Sequence, residues 1–227
     1  MLLKRAIGSS KLAVMLKHVP NILTFARLGL SIIFLVMILY SPQVEHRTAF
    51  LDGAFVLFVV AGLTDVVDGI VARRFNATSK FGRMVDPLVD KVLVVGTFVC
   101  FAVIGEPKLF GWSAETLAGI HWLVVAVLAA REAYVTILRQ VAEAKGINFA
   151  ATRSGKLKML LQSFAIGTVL IKMAHVPDQT WGYWFTSLTF VAMLVATIVS
   201  GFLATRRPSW RQYKQEGTHH DSSAPSS

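Results

Sequence analysis

Residues 65–90 read DVVDGIVARRFNATSKFGRMVDPLVD, and the four aspartates among them, Asp65, Asp68, Asp86 and Asp90, are flanked by long apolar runs. An aspartate at the centre of a membrane helix costs roughly 2.5–3.5 kcal/mol on insertion scales, so four together require cations or a water-filled cavity. The spacing points to bound divalent metal. It also predicts the end of one membrane helix, a short connection and the start of the next.

Working outward, runs of about 20 apolar residues are long enough to cross a bilayer. They occur at 22–40, 51–72, 84–104, 118–138, 157–176 and 183–204. The expected fold is therefore all-α: a polytopic membrane protein with six transmembrane helices in one bundle. The composition agrees, since 54% of the 227 residues are hydrophobic and only 16% are charged, outside the usual range of a soluble globule. Cys100 is the single cysteine and lies in an apolar run. No disulfide framework or thiolate metal site is available, and a small core residue is expected there.

The net charge of +10 raises the question of nucleic acid. Lys and Arg fall in short segments between apolar runs, without an aromatic-interleaved basic domain, so no nucleic-acid partner is expected. The distribution is one-sided. Lys4, Arg5, Lys11 and Lys17 precede the first run, and Arg73, Arg74, Lys80 and Arg83 follow the second. Arg139, Lys145, Arg153, Lys156 and Lys158 follow the fourth, and Arg206, Arg207, Arg211 and Lys214 the sixth. The opposite connections hold only Arg47 and Lys108. The positive-inside rule places both termini, and the aspartates, on the cytoplasmic side.

Three segments are expected along the chain. Residues 1–19 mix Lys with Leu, Ile, Val and Met and contain no acid, which suits a basic amphipathic segment lying on anionic lipid. A cleaved signal peptide is the weaker reading, because Lys11 and Lys17 interrupt the apolar region. Residues 20–207 are expected to form the six-helix transmembrane domain that carries the aspartates, and 208–227 a polar, disordered tail.

At 100° per residue, Asp65 and Asp68 lie about 60° apart on one helix, and Asp86 and Asp90 about 40° apart on the next. If the two helices lie side by side, four hard oxygen donors converge, a set that suits Mg²⁺ or Mn²⁺, two per site. Gly69 and Ala72 follow Asp65 on nearly the same face and leave a groove, with helix packing as the competing use of such small residues. Arg73, one turn beyond Gly69, is placed to meet a phosphate or to anchor the helix at the membrane surface. Pro87 leaves two possibilities. If the helix starts at Asp86, proline sits in its first turn at little cost; if it starts near Gly82, Pro87 falls inside it.

Carboxylates holding divalent cations beside an arginine and a glycine groove suit a pyrophosphate-bearing lipid and phosphoryl transfer. A carboxylate not wholly committed to metal would take the proton of an attacking hydroxyl. A divalent-cation transporter is the reading from another class, since intramembrane carboxylates also mark transport paths.

The full spacing, D-x2-D-G-x2-A-R-x8-G-x3-D-x3-D, is met by Asp65, Asp68, Gly69, Ala72, Arg73, Gly82, Asp86 and Asp90. It resembles the signature of the CDP-alcohol phosphatidyltransferases, and the likeness covers about residues 19–205. The resemblance implies a six-helix membrane fold, usually a homodimer. It implies transfer of a phosphatidyl group from CDP-diacylglycerol to an alcohol with release of CMP, at the cytoplasmic face of a bacterial inner membrane. By matching position, Asp65, Asp68 and Asp86 would ligate metal, Asp90 would complete the cluster and act as base, and Asp65, Gly69, Ala72, Arg73 and Ser79 would line the nucleotide pocket. Ser79 has a plainer use as a loop or capping residue.

The flanking text P20-N-I-L-T-F-A-R27, F81-G-R-M-V-D-P-L-V-D-K91, R131-E-A-Y-V-T-I-L-R139 and G155-K-L-K158 is similar to members whose acceptor is glycerol 3-phosphate. A dianionic phosphate needs cations from other helices, and Arg131, Arg139 and Lys156 are the expected acceptor residues. Lys156 and Lys158 project about 200° apart on a straight helix, so one of them is expected at the substrate, and Lys156 is chosen. Met159 departs from the threonine common in those members and puts the acceptor in question. Cardiolipin synthase or phosphatidylinositol phosphate synthase chemistry would use the same aspartates with another acceptor.

Overall fold

The computed structural model describes the backbone of residues 24–75, 80–145 and 153–205, and their side chains except at 65–75, 80–88, Asp90, Arg153, Ser154 and Lys156. The segments expected at 1–19 and 208–227, and Ser79, lie outside the described residues. Every described element is helical. Helix α1 spans 24–40 and ends in a 3-10 turn, Ser41–Gln43. It is followed by α2 (Arg47–Phe75), α3 (Lys80–Ile104), α4 (Ala114–Ala144), α5 (Arg153–His175) and α6 (Thr180–Thr205).

Five of these helices are long and apolar enough to cross a membrane: α1 with its 3-10 turn, the Arg47–Thr64 part of α2, α4, the Leu157–His175 part of α5, and α6. In α3 the apolar stretch is shorter, Lys91–Ile104, because Lys80, Arg83, Asp86 and Asp90 occupy its first half. The chain is an integral membrane protein. Helix α6 displays the reason most directly. Its buried face is Gly182, Thr186, Thr189, Met193, Thr197, Ser200 and Ala204, small or hydroxylated at nearly every step. Its exposed face carries Trp181, Trp184, Leu188, Val191, Val195, Ile198 and Phe202, at alternating steps of three and four. A helix that is apolar outside and small or polar inside is solvated by hydrocarbon. The inward hydroxyls satisfy themselves locally: Thr189 Oγ1 donates to the Phe185 carbonyl at 2.8 Å and Thr197 Oγ1 to that of Met193 at 2.7 Å.

Helices α1 and α2 meet along two matching seams. Arg27, Ser31, Phe34 and Ile38 are buried on α1, and Leu51, Ala54, Phe58 and Ala61 on α2. Steps of three and four give a coiled-coil-like contact, with the Phe34 and Phe58 rings 5.4 Å apart. Helix α5 is central, packing on α2, α3 and α6. In its apolar window 56% of residues are buried, against 22–33% in the other four spans. Helix α3 comes close to α1 at Gly96, where a Cβ would stand 3.0 Å from Leu35 Cδ1. Cys100 is in the core as expected, its Sγ donating to the Leu35 carbonyl at 3.8 Å.

The ends of the helices remote from the aspartates are pinned to one another. His175 Nε2 and Asp52 Oδ1 lie 2.8 Å apart, and Thr48 Oγ1 donates to the Ala174 carbonyl at 3.3 Å, so α5 ends beside the start of α2. Arg47 Nη2 donates to Glu106 Oε1 at 2.9 Å. The 105–113 loop opens on Gly105 at φ +70°, a left-handed residue just past the end of α3 where glycine carries no Cβ penalty. Phe110 adopts φ +50° at a cost of about 1–2 kcal/mol. Its ring packs 5.0–5.5 Å from those of Trp112, Tyr183 and Trp184, tying the loop to α6.

Candidate active site

Helical backbone runs through all four aspartates, Asp65 and Asp68 in α2 and Asp86 and Asp90 in α3. Helix α3 begins at Lys80, so of the two possibilities for Pro87 the second holds: Asp86 is an interior residue and Pro87 is the eighth of the helix. Its missing N–H leaves the Arg83 carbonyl without the usual i+4 donor. Four residues, 76–79, separate the two helices. The side chains of Asp65, Asp68, Gly69, Ala72, Arg73, Asp86, Asp90 and Lys156 lie outside the described residues.

Helix register sets the level of each position. At 1.5 Å per residue, Asp65 and Asp68 stand about 27 and 32 Å along α2 from Arg47. Asp86 and Asp90 stand about 27 and 21 Å along α3 from Ile104. The Arg47–Glu106 pair joins those two starting points, so both aspartate pairs occupy one level of the bundle. A hydrocarbon core is about 30 Å thick. That level therefore lies in the half of the bundle remote from the Arg47–Glu106 pair.

The same level contains the polar side chains of the other helices. Arg131 lies about 26 Å from the start of α4, Lys158 about 26 Å from the end of α5 and Ser200 about 30 Å from the start of α6. Arg27, 1% exposed, is on α1 about 24 Å from Gln43. Arg131, Lys158 and Ser200 are bonded together around a residue absent from the expected set, Glu132. Arg131 Nη1 donates to Glu132 Oε1 at 3.0 Å, and Lys158 Nζ donates to the same oxygen. Arg131 Nη2 donates to Ser200 Oγ at 2.9 Å. Lys91, the residue after Asp90, donates its Nζ to Thr136 Oγ1, and Thr136 in turn donates to the Glu132 carbonyl at 2.6 Å. Helices α3, α4, α5 and α6 are thereby cross-linked at the level of the aspartates.

Three of these charges are well buried. The side chains of Arg131, Glu132 and Lys158 are 13%, 16% and 6% exposed. Two cations, Arg131 and Lys158, share the one Glu132 carboxylate. Of the three residues expected to meet the acceptor, Arg131 belongs to this cluster and Arg139 is exposed two turns further along α4; Lys156 has no described side chain. Lys158, set aside in favour of Lys156, is the lysine engaged with Glu132. A signal for Glu132 existed: an acid beside an arginine inside an apolar run calls for a partner on a neighbouring helix.

Residues 17–203 match the sequence profile of the CDP-alcohol phosphatidyltransferases. The chain belongs to the CDP-alcohol phosphatidyltransferase family. It is a transferase, and the aspartate spacing on α2 and α3 falls within the matched region. Among relatives, it is 32% identical over 194 residues to the CDP-diacylglycerol–glycerol-3-phosphate 3-phosphatidyltransferase of Bacillus subtilis, covering 82% of this chain and 92% of that protein. It is 30% identical over 187 residues to a probable phosphatidylglycerophosphate synthase of Mycobacterium tuberculosis, covering 81% and 78%. It is 31% identical over 156 residues to the CDP-diacylglycerol–glycerol-3-phosphate 3-phosphatidyltransferase of Rickettsia typhi, covering 69% and 78%.

Proposed function

We propose that this phosphatidyltransferase moves the phosphatidyl group of CDP-diacylglycerol to glycerol 3-phosphate, giving phosphatidylglycerophosphate and CMP. The observation that carries the reading is the unbroken aspartate spacing on α2 and α3 in a chain of this family, supported by relatives named for that reaction. The buried cations Arg131 and Lys158 suit an acceptor that brings its own phosphate.

In this reading Asp65, Asp68, Asp86 and Asp90 hold two divalent cations, Mg²⁺ or Mn²⁺. The donor set fits: carboxylates are hard oxygen ligands, and helical backbone keeps each pair on one face. When bound, the cations neutralise the pyrophosphate and stabilise the departing CMP. Gly69 and Ala72 leave room for the nucleotide, and Arg73 and Ser79 bind it. Arg131, Arg139 and Lys156 orient the phosphate of the acceptor. Asp90 takes the proton of the acceptor hydroxyl as its oxygen forms the new bond to the lipid-bearing phosphorus and the bond from that phosphorus to CMP breaks. The helices form six spans of a homodimer in a bacterial inner membrane, with both termini and the site on the cytoplasmic side, as the basic residues around the second and fourth runs support.

Purified protein in detergent, given CDP-diacylglycerol and Mg²⁺ with glycerol 3-phosphate, phosphatidylglycerol or inositol phosphate in turn, tests the acceptor. CMP release is expected with glycerol 3-phosphate, and its loss on chelation is expected to be reversed by added Mg²⁺ or Mn²⁺. Release only with another alcohol rejects the acceptor and keeps the chemistry. Metal uptake into proteoliposomes without nucleotide would favour transport.

A further inference from the structure

Glu132 is an acid in an apolar helix, and the reading above gives it no part. Its position is nevertheless specific. One of its oxygens, Oε1, accepts from Arg131 on its own helix and from Lys158 on α5, while the other arm of the Arg131 guanidinium is held by Ser200 on α6. A guanidinium has five N–H donors in a rigid plane. Glu132 and Ser200 each take one, from Nη1 and Nη2, and two attachment points fix the plane. Three donors remain, and one of them, Nε, is buried with no hydrogen-bond partner. An unsatisfied buried donor on a charged group is unfavourable, so the guanidinium keeps this plane because Glu132 and Ser200 hold it there.

Lys158 explains why the strut is an acid held from a second helix. At 5% exposed it is too buried to serve as a solvated surface cation, and its amino group holds the Glu132 carboxylate in place. The stem of Arg131 is confined as well: a Cβ at Gly201 of α6 would stand 3.4 Å from Arg131 Cγ. The guanidinium is therefore oriented by α5 through Lys158 and Glu132, and by α6 through Ser200.

We infer that Glu132, locked by Lys158, is a positioning residue for the acceptor's phosphate: together with Ser200 it fixes the plane of the Arg131 guanidinium, so that the Nη hydrogens they leave untaken meet the phosphate in a set orientation. The inference rests on the proposed acceptor, and it assigns Glu132 and Lys158 a role without substrate contact. Pre-orientation of this kind reduces what the acceptor must order when it binds, so its loss acts on acceptor affinity.

The test is steady-state kinetics of full-length protein in mixed micelles, with KM measured separately for glycerol 3-phosphate and CDP-diacylglycerol, on wild type, Glu132→Gln, Lys158→Met, the double variant and Ser200→Ala. Glu132→Gln is expected to raise the KM for glycerol 3-phosphate about tenfold and to leave that for CDP-diacylglycerol within about twofold. Lys158→Met moves the same constant, and the double variant is no worse than the more impaired single one, because both act through one guanidinium. Ser200→Ala raises the same KM about threefold. Equal shifts in both KM values, a fall in kcat alone, or multiplicative losses in the double variant overturn the positioning role. If Glu132→Gln fails to fold, an unchanged acceptor KM in Ser200→Ala overturns it. Wild type that releases no CMP with glycerol 3-phosphate defeats the acceptor reading itself, a result seen before any variant is compared.

Discussion

Arg47, the first residue of α2, reaches Glu106, two residues past the end of α3, at 2.9 Å. This contact aligns the two antiparallel helices at their far ends. The register it sets brings the aspartates of both helices to one level. Glu106 also accepts from the Lys108 backbone N–H at 3.0 Å, so one 7%-exposed carboxylate fastens both the helix and the loop.

Removing that carboxylate leaves Arg47 and the loop amide without their acceptor. Hydrogen bonds to charged groups contribute about 1.5–3 kcal/mol. Glu106→Ala should therefore lower the melting temperature of the detergent-solubilised protein by roughly 4 °C or more. A melting curve superimposable on that of wild type would show that the pin contributes nothing.

With the roles proposed above, Asp90→Asn should abolish turnover, by about a hundredfold or more, and retain much of the affinity for CDP-diacylglycerol, because the proposed base is removed and most of the proposed metal ligands stay. Asp68→Asn should weaken both, since it loosens metal. CMP-release rates paired with equilibrium binding of the nucleotide lipid separate the two. Normal turnover in Asp90→Asn would remove its assignment as the base.

Arg131→Ala deletes the guanidinium and leaves Glu132 with Lys158 alone. The KM for the acceptor should rise at least about tenfold, the value of one charge-assisted contact. An acceptor KM equal to that of wild type would make Arg131 a purely structural cation.

The orientation is open to cysteine labelling, because Cys100 is the only native cysteine and is buried. In a Cys100→Ala background, Lys108→Cys should react in intact cells with a membrane-impermeant maleimide, and Ser222→Cys in the tail should react only after lysis. The reverse pattern would invert the topology.

Much of the fold was legible because a span needs an apolar run, and the expected runs coincide with helices; five of the six are long and apolar enough to cross a membrane, the run at 84–104 being shortened by Asp86 and Asp90. The boundaries were less legible. Helix α4 continues to Ala144, past the end of its apolar run at 138, because the backbone stays helical through Arg139, Gln140 and Glu143 once it leaves hydrocarbon. Pro87 left two starts open for α3. The earlier one is adopted, since a proline removes one backbone bond and does not stop the turns before it. The aspartate motif was readable because its fixed spacing runs along single helices. Glu132, Lys158 and Ser200 belong together only through the packing of α4, α5 and α6, and no spacing within one helix encodes that.

At the end remote from the aspartates, the helices are joined by three residues at 44–46, nine at 105–113 and four at 176–179. An antibody or protease approaching from that side meets almost no free chain. The 105–113 loop is the one sizeable target, and its aromatic ring is folded down onto α6. Whatever reaches the bundle from that end finds helix tips and one folded loop, with little backbone to grip or cut.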